Sequence, residues 1–203
     1  MKKIECITVY ASASSALAPV YNQAATELGG VIARMSCDIV YGGGGIGLMG
    51  KLADGALQQG GRVYGIIPGF LDGLEQGHTK LTSQQVVTSM RIRKEIMLDR
   101  GDAVVALPGG SGTFEELFEA LTLKRLGKYL GPIILINTNK YYDGLIRFLE
   151  QSVREGFMDT QHLQMWSVID APAELEAALK NAAPWSEDAI SFAAKDTRRR
   201  HEQ

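Results

Sequence analysis

The stretch AVVALPGGSGTFEE, residues 103–116, decides the fold because a glycine-rich loop joins an apolar run to an amphipathic one. The apolar run 103–107 predicts a buried strand, and the spacing of apolar residues over 114–126 predicts a helix. A strand that passes through a glycine loop into a helix is the elementary unit of α/β folds. This unit predicts an α/β class for the chain.

The same alternation of strand and helix continues along most of the chain. Because continuous apolar strands need cover on both faces, we expect a Rossmann-like, doubly wound parallel sheet with helices on both sides. We predict one such domain over 1–183, a C-terminal tail or surface helix over 184–203, and mostly loop over 69–88. The predicted strands are 4–10, 38–41, 62–67, 103–107, 133–136 and 166–169, and the predicted helices are 17–35, 48–59, 90–100, 114–126, 142–155 and 173–179.

Composition argues against several classes of function. The 203 residues carry a net charge of -2, so no basic field indicates nucleic acid or an anionic membrane, and we interpret Arg198–Arg200 as solvated. No apolar run approaches a membrane span or a signal peptide, which predicts a cytoplasmic protein. Cys6 and Cys37 are expected to be small buried residues, and the three histidines lack the spacing of a metal site.

The first glycine loop is YGGGGIGLMG, residues 41–50. Ligands of such sheets bind outside the carboxyl ends of the strands, which makes Ser12, Gly43, Gly44 and Gly45 candidate substrate contacts. The spacing GxGxxG is present, but the acidic residue that dinucleotide sites usually place after the next strand is replaced by Ile67-Pro68. A nicotinamide site and a tight turn with close helix–sheet packing remain alternatives.

The second glycine loop, PGGSGT, lacks the lysine of a nucleoside triphosphatase P-loop. Gly109, Gly110, Ser111, Gly112 and Thr113 can present amide and hydroxyl donors to a phosphate at the start of the next helix. Glu116 has two interpretations. It either faces a ligand group other than phosphate or completes a capping box with Thr113.

The helix preceding this strand carries two cations on an otherwise apolar face. Arg93 and Lys94 share one face with Met90 and Met97 at helical spacing. Charges on such a face either meet a ligand or partner, or extend to water along a buried stem.

MRIRK followed by PGGSGTFEE, together with YGGGGIGLMG, resembles the "Lonely Guy" family of cytokinin riboside 5'-monophosphate phosphoribohydrolases. The resemblance covers about residues 4–179. It implies a Rossmann-type homodimer that hydrolyses the N-glycosidic bond of an adenine nucleoside monophosphate, such as AMP or an N6-substituted relative. The products are free base and ribose 5-phosphate, and neither a metal nor an organic cofactor is implied.

The resemblance also implies roles for individual residues. Arg93 and Glu116 match the catalytic pair, whereas Lys94 and residues 110–113 match the surroundings of phosphate and ribose. Glu75 and Thr122 match further substrate contacts. This chain departs from the family pattern at Arg91, where histidine is usual, at Ser111, where an aromatic residue is usual, and at residues 11–14, where Cys-Gly-Ser-Ser is common. These departures bear on base specificity more than on reaction class.

Cleavage of a ribosidic bond builds positive charge on the sugar, which a carboxylate such as Glu116 would stabilise while it orients water. Arg93 would either stabilise the departing base or position the phosphate. Three alternatives stay open: a non-catalytic nucleotide carrier, a nicotinamide dehydrogenase, and the lysine decarboxylase of older family names. The last needs a Schiff-base lysine with a partner for the ring nitrogen, and no clear pair of this kind is present.

Overall fold

The computed structural model describes residues 3–74 and 76–191. Its centre is one sheet of seven parallel strands in the order β4-β3-β2-β1-β5-β6-β7. The strands are β1 (Cys6–Tyr10), β2 (Asp38–Tyr41), β3 (Val63–Pro68), β4 (Ser83–Val87), β5 (Ala103–Ala106), β6 (Ile133–Ile136) and β7 (Ser167–Ile169).

Helices cover both faces of the sheet, which confirms the predicted doubly wound α/β fold. Side chains of α1, α2 and α7 contribute to the core on one face, and those of α4, α5 and α6 to the core on the other. The helices are α1 (Pro19–Arg34), α2 (Gly47–Gln58), α3 (Gly69–Asp72), α4 (Met90–Arg100), α5 (Ser111–Arg125), α6 (Asp143–Arg154) and α7 (Leu175–Asn181), and short 3-10 turns occupy Thr138–Lys140, Thr160–Gln164 and Pro172–Glu174.

The prediction that 69–88 is mostly loop was wrong at both of its ends. The segment contains the short helix α3 and the strand β4, which pairs in parallel with β3. β4 is one of the two edge strands, and its sequence SQQVV is largely exposed. An edge strand covered on one side needs no continuous apolar run, so its signal is absent from the sequence.

Helix α5 begins three residues earlier than predicted. Its first residue is Ser111 and its N-cap is Gly110, which makes no side-chain capping bond. The predicted start at residue 114 relied on the first apolar position, whereas Ser111 and Gly112 are weak helix formers. The helix therefore emerges directly from the glycine loop.

The order of the strands places a topological switch between β1 and β5. From β1 the chain builds outward through β2, β3 and β4, and from β5 it builds the other way through β6 and β7. The loops after β1 and β5 thus diverge and leave a crevice at the carboxyl edge, where ligands of such sheets bind.

Several further features lie away from this edge. Cys6 and Cys37 are both free thiols; Cys37 is buried in one core as predicted, whereas Cys6 is only partly buried and packs against the core on the other face of the sheet. In the described ranges, no helix combines the length and the apolar character that crossing a membrane requires. Near residue 184, where the predicted tail begins, the Trp185 indole donates a 2.7 Å hydrogen bond to the Lys124 carbonyl oxygen.

Candidate active site

The loop between β5 and α5 presents a set of backbone donors. Gly110, Ser111 and Gly112 are exposed, whereas Gly109 and Thr113 are buried. Within the described chain, the amides of residues 110–113 donate to no protein acceptor. The first amides of a helix have no intrahelical partner and carry its positive dipole end. Four consecutive amides here can therefore receive an anion.

Two glycines of this loop are not required by the protein's own packing. A methyl group added at Gly110 or at Gly112 would meet no atom within 4 Å, and neither residue has a positive φ. The fold alone would accept a larger residue at both positions. Glycine at these positions instead leaves the amides open to a molecule from outside.

The glycines after β2 have the opposite character. A Cβ at Gly45 would lie 2.4 Å from the Gln76 carbonyl oxygen, and Gly47 combines a φ of +62° with a 2.5 Å approach to the backbone of Ala13. The amides of Leu48 and Met49 donate to the Ser12 carbonyl oxygen at 2.9 and 3.2 Å. The protein itself thus occupies part of the start of α2, and close packing explains the glycines that match the dinucleotide pattern.

Arg93 is buried at the carboxyl ends of β2 and β3. Its Nε donates to the Ile66 carbonyl oxygen at 3.1 Å, and its Nη2 donates to the Gly42 carbonyl oxygen at 2.7 Å. A Cβ at residue 42 would lie 1.9 Å from Nη2, so glycine there makes room for the guanidinium. With only 4% of the residue exposed, the interpretation of Arg93 as a cation extending to water is wrong.

Glu116 is buried on α5 beside the end of β1. Burial, and then the nearby Glu116 carboxylate, raise the pKa of the Tyr10 hydroxyl well above its ordinary value. The capping alternative was wrong, because Gly110 rather than Thr113 is the N-cap of α5. Glu116 therefore lies within the helix α5, which packs against both β1 and β5.

Lys94 joins α4 to α5. Its Nζ contacts the Glu115 carboxylate and lies 3.2 Å from the Glu119 carboxylate. The hydrogen bond to Glu115 is the main reason why the pKa of Lys94 is raised. This contact ties the helix that carries Arg93 to the helix that carries Glu116.

The remaining predicted contacts are dispersed. Ser12 is half-buried over the start of α2, and Gly43 and Gly44 are buried beneath the segment 76–78. Thr122 is exposed on α5, six residues beyond Glu116 and hence on a different face of the helix. Glu75 lies outside the described residues.

Sequence reasoning missed two tyrosines that hold the second glycine loop. The Tyr141 hydroxyl donates to the Gly109 carbonyl oxygen at 2.5 Å, and the Tyr142 hydroxyl donates to the Leu107 carbonyl oxygen at 2.7 Å. No motif marks them, and only their proximity along the chain to the end of β6 could have suggested a role. Residues 3–74 and 76–191 contain no group of three or more His, Cys, Asp or Glu side chains placed to hold a metal ion.

Comparison with known proteins places this chain in a family. Residues 49–179 match a family model described as "Possible lysine decarboxylase". A cytokinin riboside 5'-monophosphate phosphoribohydrolase from Rhodococcoides fascians is 44% identical over 75% of this chain and 77% of its own length. A protein of the same name from Arabidopsis thaliana is 36% identical over 94% of this chain and 93% of its own length.

Solved structures share the fold at lower identity. The molybdenum cofactor carrier protein of Chlamydomonas reinhardtii superposes with a TM-score of 0.67 at 24% identity, covering 89% of this chain and 98% of that one. The molybdenum cofactor binding protein of Rippkaea orientalis gives a TM-score of 0.62 at 20% identity, with the same coverage. At this identity the likeness concerns the fold alone. The sequence matches decide the family, and the chain belongs to that of the cytokinin riboside 5'-monophosphate phosphoribohydrolases.

Proposed function

We propose that this protein hydrolyses the N-glycosidic bond of adenine nucleoside 5'-monophosphates, AMP or N6-substituted relatives, to free base and ribose 5-phosphate. The observation that carries the proposal is the order of groups along the carboxyl edge of the sheet. Open amides lie after β5, the Glu116 carboxylate beside the end of β1, and the Arg93 guanidinium at the ends of β2 and β3.

This order matches the order of groups in a nucleotide. Neighbouring strands are ~4.8 Å apart, so β1 lies about 5 Å from β5 and the β2–β3 ends lie roughly 10 to 14 Å from it. With the phosphate on the amides of residues 110–113, the anomeric carbon falls at the level of Glu116. The base extends further, to the level of Arg93.

Glu116 then acts on the sugar. As the bond between C1' and the base nitrogen breaks, the ribose gains positive charge that the buried carboxylate stabilises. The same carboxylate accepts a proton from the attacking water, whose oxygen forms the new bond to C1'. The bonding electron pair leaves with the base.

Arg93 acts on the departing base. Two backbone carbonyls hold its guanidinium in place, so it cannot reach toward the phosphate loop two strands away. An arginine donates its proton poorly because its pKa stays above ~12. We therefore assign Arg93 electrostatic stabilisation of the negative charge that develops on the base, and we take the base nitrogen's proton to come from water.

We further propose a cytoplasmic homodimer. Phe118 and Thr122 lie at i and i+4 on α5, Leu126 follows at i+8 as the C-cap of the helix, and all three are exposed on one stripe. Ile92 of α4, the neighbouring helix, is exposed as well. A second copy of the chain would cover these apolar side chains. Thr122 could then contact the substrate site of the partner subunit. Both thiols are free, as is usual in reducing compartments.

The test is product analysis. The purified protein is incubated with AMP or isopentenyladenosine monophosphate, and base and ribose 5-phosphate are separated by chromatography. We expect both products, a loss of turnover of at least about 100-fold in Glu116→Gln, and near-normal turnover in the control Glu176→Gln, which changes an exposed carboxylate on α7. Intact nucleotide bound at stoichiometry would favour a carrier instead. Unchanged turnover in Glu116→Gln would remove this carboxylate from the mechanism.

A further inference from the structure

Two tyrosine hydroxyls from one loop hold the backbone on which the proposed phosphate site is built. Tyr141 donates to the carbonyl oxygen of Gly109, and Tyr142 donates to that of Leu107. These contacts cross 32 and 35 residues of chain. They connect the end of β6 to the loop after β5, and β6 lies on the opposite side of β5 from the strands whose ends hold Arg93.

The backbone before these tyrosines is strained. Asn139 and Lys140 are consecutive non-glycine residues with φ of 53° and 59°, a region that such residues seldom occupy. The buried Asn137 side chain stabilises the turn, because its oxygen accepts from the Tyr142 amide at 2.7 Å and its nitrogen donates to Asp143 at 2.8 Å. The turn holds Tyr141 and Tyr142 beneath the glycine loop.

Tyr141 is 40% exposed, but its ring has aromatic neighbours on three sides. It lies edge-on to Tyr21 and Tyr142, with ring centroids 6.1 and 5.2 Å away, and parallel to Phe114 at 6.4 Å. A ring held in this way delivers its hydroxyl to one place. The hydroxyl therefore acts as a fixed donor rather than a mobile surface group.

The consequence follows from the planarity of the peptide bond. In a trans peptide the carbonyl of one residue and the N–H of the next point in opposite directions. When Tyr141 binds the Gly109 oxygen, the Gly110 amide must point away from Tyr141, and it donates to no acceptor in the described chain. Without the hydroxyl, glycine residues on both sides of this peptide would let it rotate and present its oxygen to the anion.

We propose that Tyr141 is a positioning residue, which orients the 109–110 peptide so that its amide donates to the 5'-phosphate. This inference rests on the proposed function only in placing a phosphate at that loop. It predicts that loss of the hydroxyl weakens recognition of the phosphate and leaves recognition of the base unaffected.

The experiment compares Tyr141→Phe with Tyr21→Phe, which removes the same group from a neighbouring ring. Binding of ribose 5-phosphate and of adenine is measured by calorimetry on the full chain, and KM and kcat are measured with AMP. For Tyr141→Phe we expect about a tenfold rise in the Kd of ribose 5-phosphate and in KM, with kcat changed less and adenine binding unchanged. Tyr21→Phe should match the wild type.

The two proposals fail separately. An unchanged Kd for ribose 5-phosphate in Tyr141→Phe, or an equal loss in Tyr21→Phe, overturns the positioning role even if AMP is hydrolysed. A wild-type protein that releases no base from AMP, but loses affinity for ribose 5-phosphate when Tyr141 is changed, overturns the hydrolase and retains the role of Tyr141.

Discussion

At the scale of single residues, the two glycine-rich loops contain glycine for different physical reasons. Gly112 faces open space at the start of α5, whereas Gly45 approaches a carbonyl oxygen too closely for a side chain. A substitution at each position therefore separates binding from folding.

We expect Gly112→Ala to preserve or raise the free energy of unfolding, by up to about 1 kcal/mol, because alanine narrows the unfolded ensemble and favours a helix. The same change should raise KM for AMP, because its methyl group enters the space reserved for the phosphate. Denaturant unfolding and steady-state kinetics measure the two effects. An unchanged KM would show that no ligand approaches this glycine.

Gly45→Ala should lower the free energy of unfolding in the same denaturant experiment. Its methyl group would force the segment at Gln76 to move, so we expect a loss of about 1 to 3 kcal/mol. A variant as stable as the wild type would contradict the packing explanation of the first glycine loop.

Local motifs predicted one part of the site and not the other. Residues 110–113, Arg93 and Glu116 stand out in the sequence because the roles proposed for them depend on a strand–loop–helix unit and a charged helix face. Tyr141 and the carbonyl of Ile66 do not, since each contact joins residues far apart in the chain. Such contacts depend on the packing of whole elements, which no short pattern encodes.

At the scale of elements, a buried lysine links the end of α5 to the C-terminal segment. Lys124 is 1% exposed, its ammonium group donates to the Gly131 carbonyl, and it lies 5.6 Å from the centre of the Trp185 ring. Burial lowers the pKa of Lys124 from its ordinary value of 10.5 to about 8. The charged form is therefore disfavoured in the folded state.

The sign of the resulting pH dependence is determined by this shift. Between pH 8 and 10.5 the unfolded chain binds more protons at Lys124 than the folded chain does. The free energy of unfolding therefore rises with pH across this range, and it falls again as the pH is lowered to 8. We expect Lys124→Met to gain stability relative to the wild type at pH 7, and this advantage to shrink by pH 10. Urea unfolding at both values tests this.

The matched control is Lys180→Met, which changes an exposed lysine paired with Glu176. Its stability difference from the wild type should stay nearly constant between the two pH values. A Lys124→Met difference that is equally constant would mean that the lysine is not desolvated.

The burial of each strand explains which strands could be predicted from the sequence. Strands covered on both faces, such as β5 and β6, have the continuous apolar runs that this environment demands. β4 pairs with a neighbour on one side only, and the three consecutive polar residues at the start of its sequence SQQVV resemble a loop. The sequence prediction missed β4 because this strand is largely exposed and therefore lacks the run of apolar residues that marks a buried strand.

At the scale of the whole molecule, the exposed stripe on α5 predicts association. Phe118→Asp would place a charge where a second copy is proposed to pack, so we expect sedimentation to change from dimer to monomer with little loss of monomer stability. Val168→Asp, at an exposed position on β7, serves as the control and should leave the dimer intact. A wild-type protein that sediments as a monomer contradicts the proposal directly.

The central claim is the alignment of a nucleotide along the carboxyl edge of the sheet, and a crystal structure of Glu116→Gln with AMP tests it most directly. We predict the phosphate on the amides of residues 110–113, the anomeric carbon beside residue 116, and the base at the Arg93 guanidinium. A phosphate bound at Arg93, or a base seated on the PGGSGT loop, would contradict the account.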